Sequence, residues 1–334
     1  MDNIIEMLNV SKEYVVWEGT DKLIDRLFKR KKRIIHALRN ISLNIQQGEL
    51  VGYIGPNGAG KSTTLKLITG VLTPTEGTIR VMGKDPQKAR KELSREIGVV
   101  FGQKSQLWWD LPVRDSFLLL KEMYKISNAK FSNQLEKLNS VLDIQDLLDV
   151  PVRQLSLGQR MKCDIAASLL HEPQILFLDE PTIGVDIITK EKLREFIRKI
   201  NENFKTTIII TSHDMKDVTL LCQRIIIIDE GTKIYDGKLK DFIEQNHFYK
   251  RIEIGNCLTE TSIEEIKKNP SIFSVRCDFE TNTTDIEYDD TKLSSADMYK
   301  ILSEKSDFKE FTVAEQSIER IIEGYISRKG KKNV

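Results

Sequence analysis

The stretch LVGYIGPNGAGKSTTLKLITG, residues 50–70, constrains the fold more than any other part of the chain. LVGYI reads as a buried strand. Gly55, Gly58 and Gly60 then crowd a short loop, and Lys61 and Ser62 open a segment of helical periodicity. Glycine costs backbone entropy on folding, so three within six residues mark a turn that must adopt a shape, or approach a neighbour, that a Cβ would forbid. A strand passing through such a turn into a helix is a unit of an α/β sheet, with the loop at the carboxyl end of the strand.

The chain continues in that style. Short β-branched runs near 4–10, 41–45, 50–54, 78–82, 97–101, 175–178, 207–211, 224–228 and 232–235 read as strands, and segments near 61–69, 86–95, 187–201 and 215–222 as helices. Between Val113 and Ser168 only helical periodicity is present, as in Leu135, Leu138, Val141 and Leu142, which predicts a helical subdomain inserted at about 113–168. After about residue 245 the texture changes. FYKRIEIGN, SIFSVRCDF, TTDIEYD and FKEFTV read as strands, TSIEEIKKN and SSADMYKILSE as helices, in the β-α-β-β-α-β order of a ferredoxin-like unit. A last helix places Ile318, Ile321, Ile322, Tyr325 and Ile326 on one face, which docks on its own domain or meets a second copy. RKGKKNV reads as a frayed end.

With 334 residues the chain has room for two domains, here 1–245 and 246–334. Lys plus Arg number 51 against 50 Asp plus Glu, a balance that does not suggest a general nucleic-acid binder. Cys163, Cys222, Cys257 and Cys277 show no CxxC spacing and are expected to be reduced, buried thiols of a cytosolic protein. MDNIIEMLNVSKEY lacks the features of a signal peptide, and no apolar run approaches the ~20 residues a bilayer span needs. An insertion at about 17–35 carries Leu23, Ile24, Leu27 and Phe28 on one helical face, then the basic run Lys29 to Arg33. It reads as a solvated surface helix, or as one lying against anionic lipid or a membrane partner.

Gly55-x-x-x-x-Gly60-Lys61-Ser62, between a strand and a helix, is the P-loop pattern. The glycines let successive backbone N–H groups turn toward one centre at a helix N-terminus, so Gly55, Pro56, Asn57, Gly58, Ala59, Gly60 and Thr63 are expected to surround a phosphate of ATP. Lys61 can reach the terminal phosphates and the Ser62 hydroxyl can bind Mg²⁺. QILFLDE is an apolar strand delivering Asp179 and Glu180 at its carboxyl end. Asp179 suits the Mg²⁺ shell, and Glu180 suits polarising an attacking water.

With these motifs the chain resembles the ATP-binding subunit of an ABC transporter over roughly residues 1–240. LSLGQRMKCDIAASLLHEPQILFLDEPTIGVD, residues 155–186, is similar to that family's signature, Walker B and D-loop in order. VVFGQKSQLWWDLPV resembles its Q-loop, with Gln103, and ITSHDM its switch, with His213. The LWWDLP stretch, the basic insertion and the extra domain look most like the branch serving drug and viologen exporters. The resemblance implies an α/β fold: a P-loop NTPase ABC cassette with a mixed core sheet and an inserted helical subdomain, plus a small α+β domain. It implies two subunits closing head to tail around two ATP, with Mg²⁺ held by Ser62, Gln103 and Asp179. Ser156, Leu157, Gly158 and Gln159 of one subunit would face the nucleotide of the other, Leu157 standing where the family commonly has glycine. Asp186 would cross the interface, His213 would hold Glu180 and water, and Tyr14 would stack on adenine with Trp17 as competitor. An N-cap role explains Ser156 but leaves Gly158 and Gln159 unaccounted for. Trp108 and Trp109 read as a partner surface or as core. The implied partner is a separate membrane permease, with the chain on the cytoplasmic face of the membrane and no nucleic acid expected. Rivals are a soluble ABC ATPase acting on ribosomes, which usually has two cassettes, a DNA-repair ATPase, which needs long coiled-coil arms, a non-catalytic ATP-binding regulator, and an importer subunit.

Overall fold

The computed structural model describes residues 3–18, 31–101, 104–212, 215–246 and 249–315, and from the last helix 318, 321–322 and 324–326. The expectations for Gln103, His213, the helical face Leu23 to Phe28 and the terminal tail fall outside these residues. Two compact units divide the chain, Met1–Leu239 and Lys240–Val334.

The first unit is built on two sheets. Strands β1 (Asn3–Glu18), β2 (Lys31–Gln46) and β4 (Glu76–Val81) form an antiparallel sheet in the order β2-β1-β4. The larger sheet runs β5-β6-β7-β3-β8-β9, from β3 (Leu50–Ile54), β5 (Ile97–Phe101), β6 (Ile175–Asp179), β7 (Thr207–Ser212), β8 (Arg224–Asp229) and β9 (Thr232–Lys238). All its neighbours are parallel except β8 and β9. Strands such as TIIITS, buried at every position, are the continuous apolar runs expected of a parallel sheet covered on both faces. Ile5, Tyr53, Leu67, Phe177 and Ile226 join the two sheets into one core.

Helices α1 (Lys61–Ile68), α2 (Arg90–Leu93), α6 (Ile187–Phe204) and α7 (Met215–Leu221) accompany the strands. Between β5 and β6 lie α3 (Val113–Tyr124), α4 (Asn128–Leu142), two 3₁₀ turns and α5 (Leu157–Leu169), packed through Phe117, Phe131, Leu138 and Leu142. No strand interrupts them.

Three details depart from the sequence reading. The first hairpin is far longer than the runs at 4–10 and 41–45: it pairs out to Glu18↔Lys31, so Lys31–Ile35 of the expected insertion are strand. The β-branched pair Val15↔Ile34, flanked by Tyr14↔Ile35, prolongs the ladder beyond the core. The helix expected at 86–95 shrinks to α2, because Asp85 Oδ1 accepts the Gln87 amide at 2.9 Å, a local turn that competes with helix. Cys163 and Cys222 are buried thiols, whereas Cys257 and Cys277 are only half-buried.

The second unit contains α8 (Leu239–Asn246), then β10 (Tyr249–Ile254), α9 (Glu260–Lys267), β11 (Ile272–Asp278), β12 (Thr283–Asp289), α10 (Ser295–Ser303) and β13 (Phe311–Glu315). Its sheet is antiparallel in the order β11-β12-β10-β13, the connectivity of a ferredoxin-like unit. Ile252, Ile286, Tyr288, Met298 and Leu302 form its core, while Arg251 grips Asp285 with two hydrogen bonds of 2.6 Å. In the last helix Ile321 and Ile322 are buried, and the Tyr325 ring meets the Phe242 ring edge-on at 5.1 Å. Phe242 lies on α8, which from Lys240 onward belongs to the second unit.

Candidate active site

Because β3, β5, β6 and β7 are mutually parallel, their carboxyl ends share one edge of the sheet. Ile54 leads there into the glycine loop, Asp179 is the last residue of β6, and Phe101 and Ser212 precede Gln103 and His213. The topology therefore brings the ends of four strands, from Ile54 to Ser212 in sequence, to one edge. A cavity of about 560 Å³ opens at that edge. Asn57, Gly58, Gly60, Lys61, Ser62 and Thr63 line it together with Asp179 and Glu180, and Ala37, Lys66, Phe101 and Lys104 complete the wall.

The loop shape follows from the glycines. Gly60 has φ 107°, and a Cβ there would sit 2.6 Å from the Ala37 carbonyl oxygen. Gly60 is also the N-cap of α1, and no side chain caps that helix. The first intrahelical bond is Thr64 N–H to Gly60 O at 2.9 Å, so the amides before it are left to the cavity. An uncapped helix start carries positive potential and free donors, a ready site for an anion.

Lys61 is buried, and its ammonium donates to Gly55 O at 2.7 Å and Pro56 O at 3.1 Å. Burial lowers its pKa, against the opposing pull of Glu180 and Asp179. Asp179 Oδ1 accepts the Thr211 hydroxyl at 2.5 Å. Glu180 has a left-handed backbone, φ 52°, and its N–H is held by Thr211 O at 3.0 Å and Thr211 Oγ1 at 3.2 Å. A non-glycine residue persists in that region only when its surroundings over-determine it, and such strain gathers at functional sites.

Tyr14 does not line the cavity. Its partner Ile35 lies two residues before Ala37 on β2, with an irregularity in the pairing between Lys12↔Leu38 and Glu13↔His36. Lys12 Nζ lies 5.4 Å from the centre of the Tyr14 ring. For Trp17 the backbone pairing with Lys32 is described.

Ser156 and Gln159 form a complete capping box at the start of α5: the Ser156 hydroxyl accepts Gln159 N–H, and Gln159 Oε1 accepts Ser156 N–H at 2.9 Å. Gly158 is a close approach, since a Cβ there would lie 2.2 Å from Thr189 Cγ2 on α6. Within one subunit, capping and packing thus account for all three residues, including the two that capping by Ser156 alone leaves open. Leu157 Cδ2 lies 3.1 Å from where a Cβ on Gly184 would be. Asp186 N-caps α6, accepting Thr189 N–H at 3.0 Å, and bonds from Thr189 hold its carboxyl below the usual range.

Trp108 and Trp109 are 39% and 53% exposed, with Arg160 5.5 Å from the Trp109 ring, so core burial does not account for them. Two buried carboxylates among the described residues of the first unit escaped the sequence reading. Asp164 of α5 accepts Ser105 Oγ at 2.8 Å and Gln106 N–H at 3.0 Å, and burial pushes its pKa up to about 6. Asp217 of α7 accepts Arg194 Nε at 2.7 Å. The available signal was an acidic residue at a core position of an amphipathic helix.

The donor set suits a polyphosphate with a hard divalent cation. Free amides, the Lys61 ammonium and the Ser62 hydroxyl at one helix start line the cavity together with the Asp179 and Glu180 carboxylates. Comparisons agree. The family model described as "ABC transporter" matches residues 38–183. The chain is 36% identical to the ABC transporter ATP-binding protein NatA of Bacillus subtilis over 66% of this chain and 89% of that protein. The chain belongs to the ABC transporter family. The Nod factor export ATP-binding protein I of Sinorhizobium fredii is 35% identical over 78% of this chain and 71% of its own. The methionine import ATP-binding protein MetN 2 of Enterococcus faecalis is 29% identical over 72% and 67%. A dimeric ATP-binding cassette solved with ADP and Pi matches with TM-score 0.58 and 28% identity, covering 70% of this chain and 98% of that one. This ABC subunit is accordingly an ATPase that uses ATP and Mg²⁺. None of its described helices is long and apolar enough to cross a membrane.

Proposed function

We propose that this ABC subunit closes as a pair around two ATP and powers export through a separate permease at the cytoplasmic face of the membrane. The observation that carries the reading is the cavity itself, with an uncapped helix start opposite Asp179 and Glu180. The amides of residues 58–63 receive the β- and γ-phosphates, and Lys61 leaves its loop carbonyls for the more negative phosphate oxygens. Ser62 and Asp179, with Gln103, would hold Mg²⁺, which when bound neutralises phosphate charge. Glu180 accepts the proton of the attacking water, and His213 orients it against the γ-phosphate. Ser156 and Gly158 contact the other subunit's nucleotide, Asp186 lies in the interface, and Tyr14 stacks on adenine.

Export is supported by the Nod factor export relative and by the half-exposed Trp108 and Trp109, a surface suited to a partner. The methionine import relative favours the opposite direction on a shared cassette. A mild-detergent pull-down from native membranes decides between transport and a soluble role. A multi-helix permease in stoichiometric amount is expected, and ribosomal proteins or a partner-free soluble dimer would overturn the reading.

A further inference from the structure

Asp217 is completely buried, yet it is the meeting point of three segments. It lies in the first turn of α7, four residues after His213. Its Oδ1 accepts Arg194 Nε at 2.7 Å, from the helix that Asp186 caps. Its Oδ2 accepts the hydroxyl of Thr182, a buried residue two positions beyond Glu180. Thr182 closes the turn that carries Glu180, with Ile183 N–H on Glu180 O at 3.3 Å and Val185 N–H on Thr182 O at 3.2 Å. On its other side α7 is pressed on the strand feeding the glycine loop: a Cβ on Gly52 would lie 2.4 Å from Val218 Cγ1.

A buried carboxylate with a guanidinium partner would satisfy the fold alone. The added Thr182 bond ties the left-handed turn at Glu180 to the segment that follows the switch. We propose that Asp217 is a positioning residue for hydrolysis, setting the turn that carries Glu180 in register with α7 through Thr182, with Arg194 extending the link to α6. This rests on Glu180 acting on the attacking water. Displacing a reacting group by about 1 Å can cost a hundredfold in rate with little change in binding.

The test leaves the ion pair intact. Thr182→Val keeps shape and removes only the hydroxyl, so Asp217 retains Arg194 and no buried charge is stranded. The full-length chain is assayed for phosphate release, for affinity toward a fluorescent ATP analogue, and for thermal melting, beside Thr182→Ser and Glu180→Gln. Thr182→Val is expected to lower kcat about 10- to 100-fold with analogue affinity within about twofold of wild type, and Thr182→Ser to restore most of the rate. A Thr182→Val rate near wild type with Glu180→Gln inactive would overturn the positioning role alone. Affinity and melting that fall in step with rate would reduce Thr182 to a structural contact. Near-normal turnover in Glu180→Gln would instead remove the assignment of Glu180.

Discussion

Two helix starts in the cassette are the proposed phosphate contacts, and they are built in opposite ways. The start of α1 has no side-chain cap, a left-handed glycine at its N-cap, and its free amides lining a cavity. The start of α5 carries a side-chain cap: Ser156 and Gln159 cap each other and Gly158 is pressed against Thr189. The first is a finished anion site in a single subunit. The second keeps its cap while the Ser156 O–H and the Leu157 and Gly158 amides can still donate, so under the proposed pairing it would add fewer new contacts to a partner's nucleotide than the first makes to its own. That asymmetry suits a subunit that binds ATP first and pairs afterwards.

The comparison can be broken at either end. The largest effect is expected at the open start. Lys61→Ala removes the buried ammonium and should weaken nucleotide affinity about 10- to 100-fold, the worth of one charge-assisted bond; titration with a fluorescent ATP analogue would show it, and unchanged affinity would contradict the open-site picture. Next comes Gly158→Ala, whose Cβ would lie 2.2 Å from Thr189 Cγ2. Overpacking of this kind should destabilise by about 1–3 kcal/mol, read as a lowered melting temperature without ATP, with analogue affinity preserved. The smallest is Ser156→Ala, about 1 kcal/mol from the lost cap. It sharpens the contrast: single-subunit binding should stay intact while ATP-driven pairing, followed by size exclusion in a Glu180→Gln background, weakens. Equal pairing with and without the Ser156 hydroxyl would mean that capping is its whole role.

The same division separates what was legible in the sequence from what was not. The glycine loop, the acids ending β6 and the helical insertion could be read because each is a local pattern: backbone freedom at Gly60, an apolar run closed by Asp179 and Glu180, a 3.6-residue repeat around Leu138 and Leu142. The order of elements in the second unit was legible for that reason too. What stayed hidden depends on neighbours distant in sequence. Val15 and Ile34 are strand because they face each other, Gly158 is glycine because Thr189 crosses it, and Gln159 answers a cap as well as a motif. Asp217 is a polar letter in a helical pattern until folding buries it between Arg194 and Thr182. By itself, then, the sequence determined most of the segments that form and the loop proposed to bind phosphate, since both follow from local backbone chemistry. The tertiary structure alone decided which side chains share a buried contact, because burial and hydrogen bonding belong to pairs of residues that only the fold brings together.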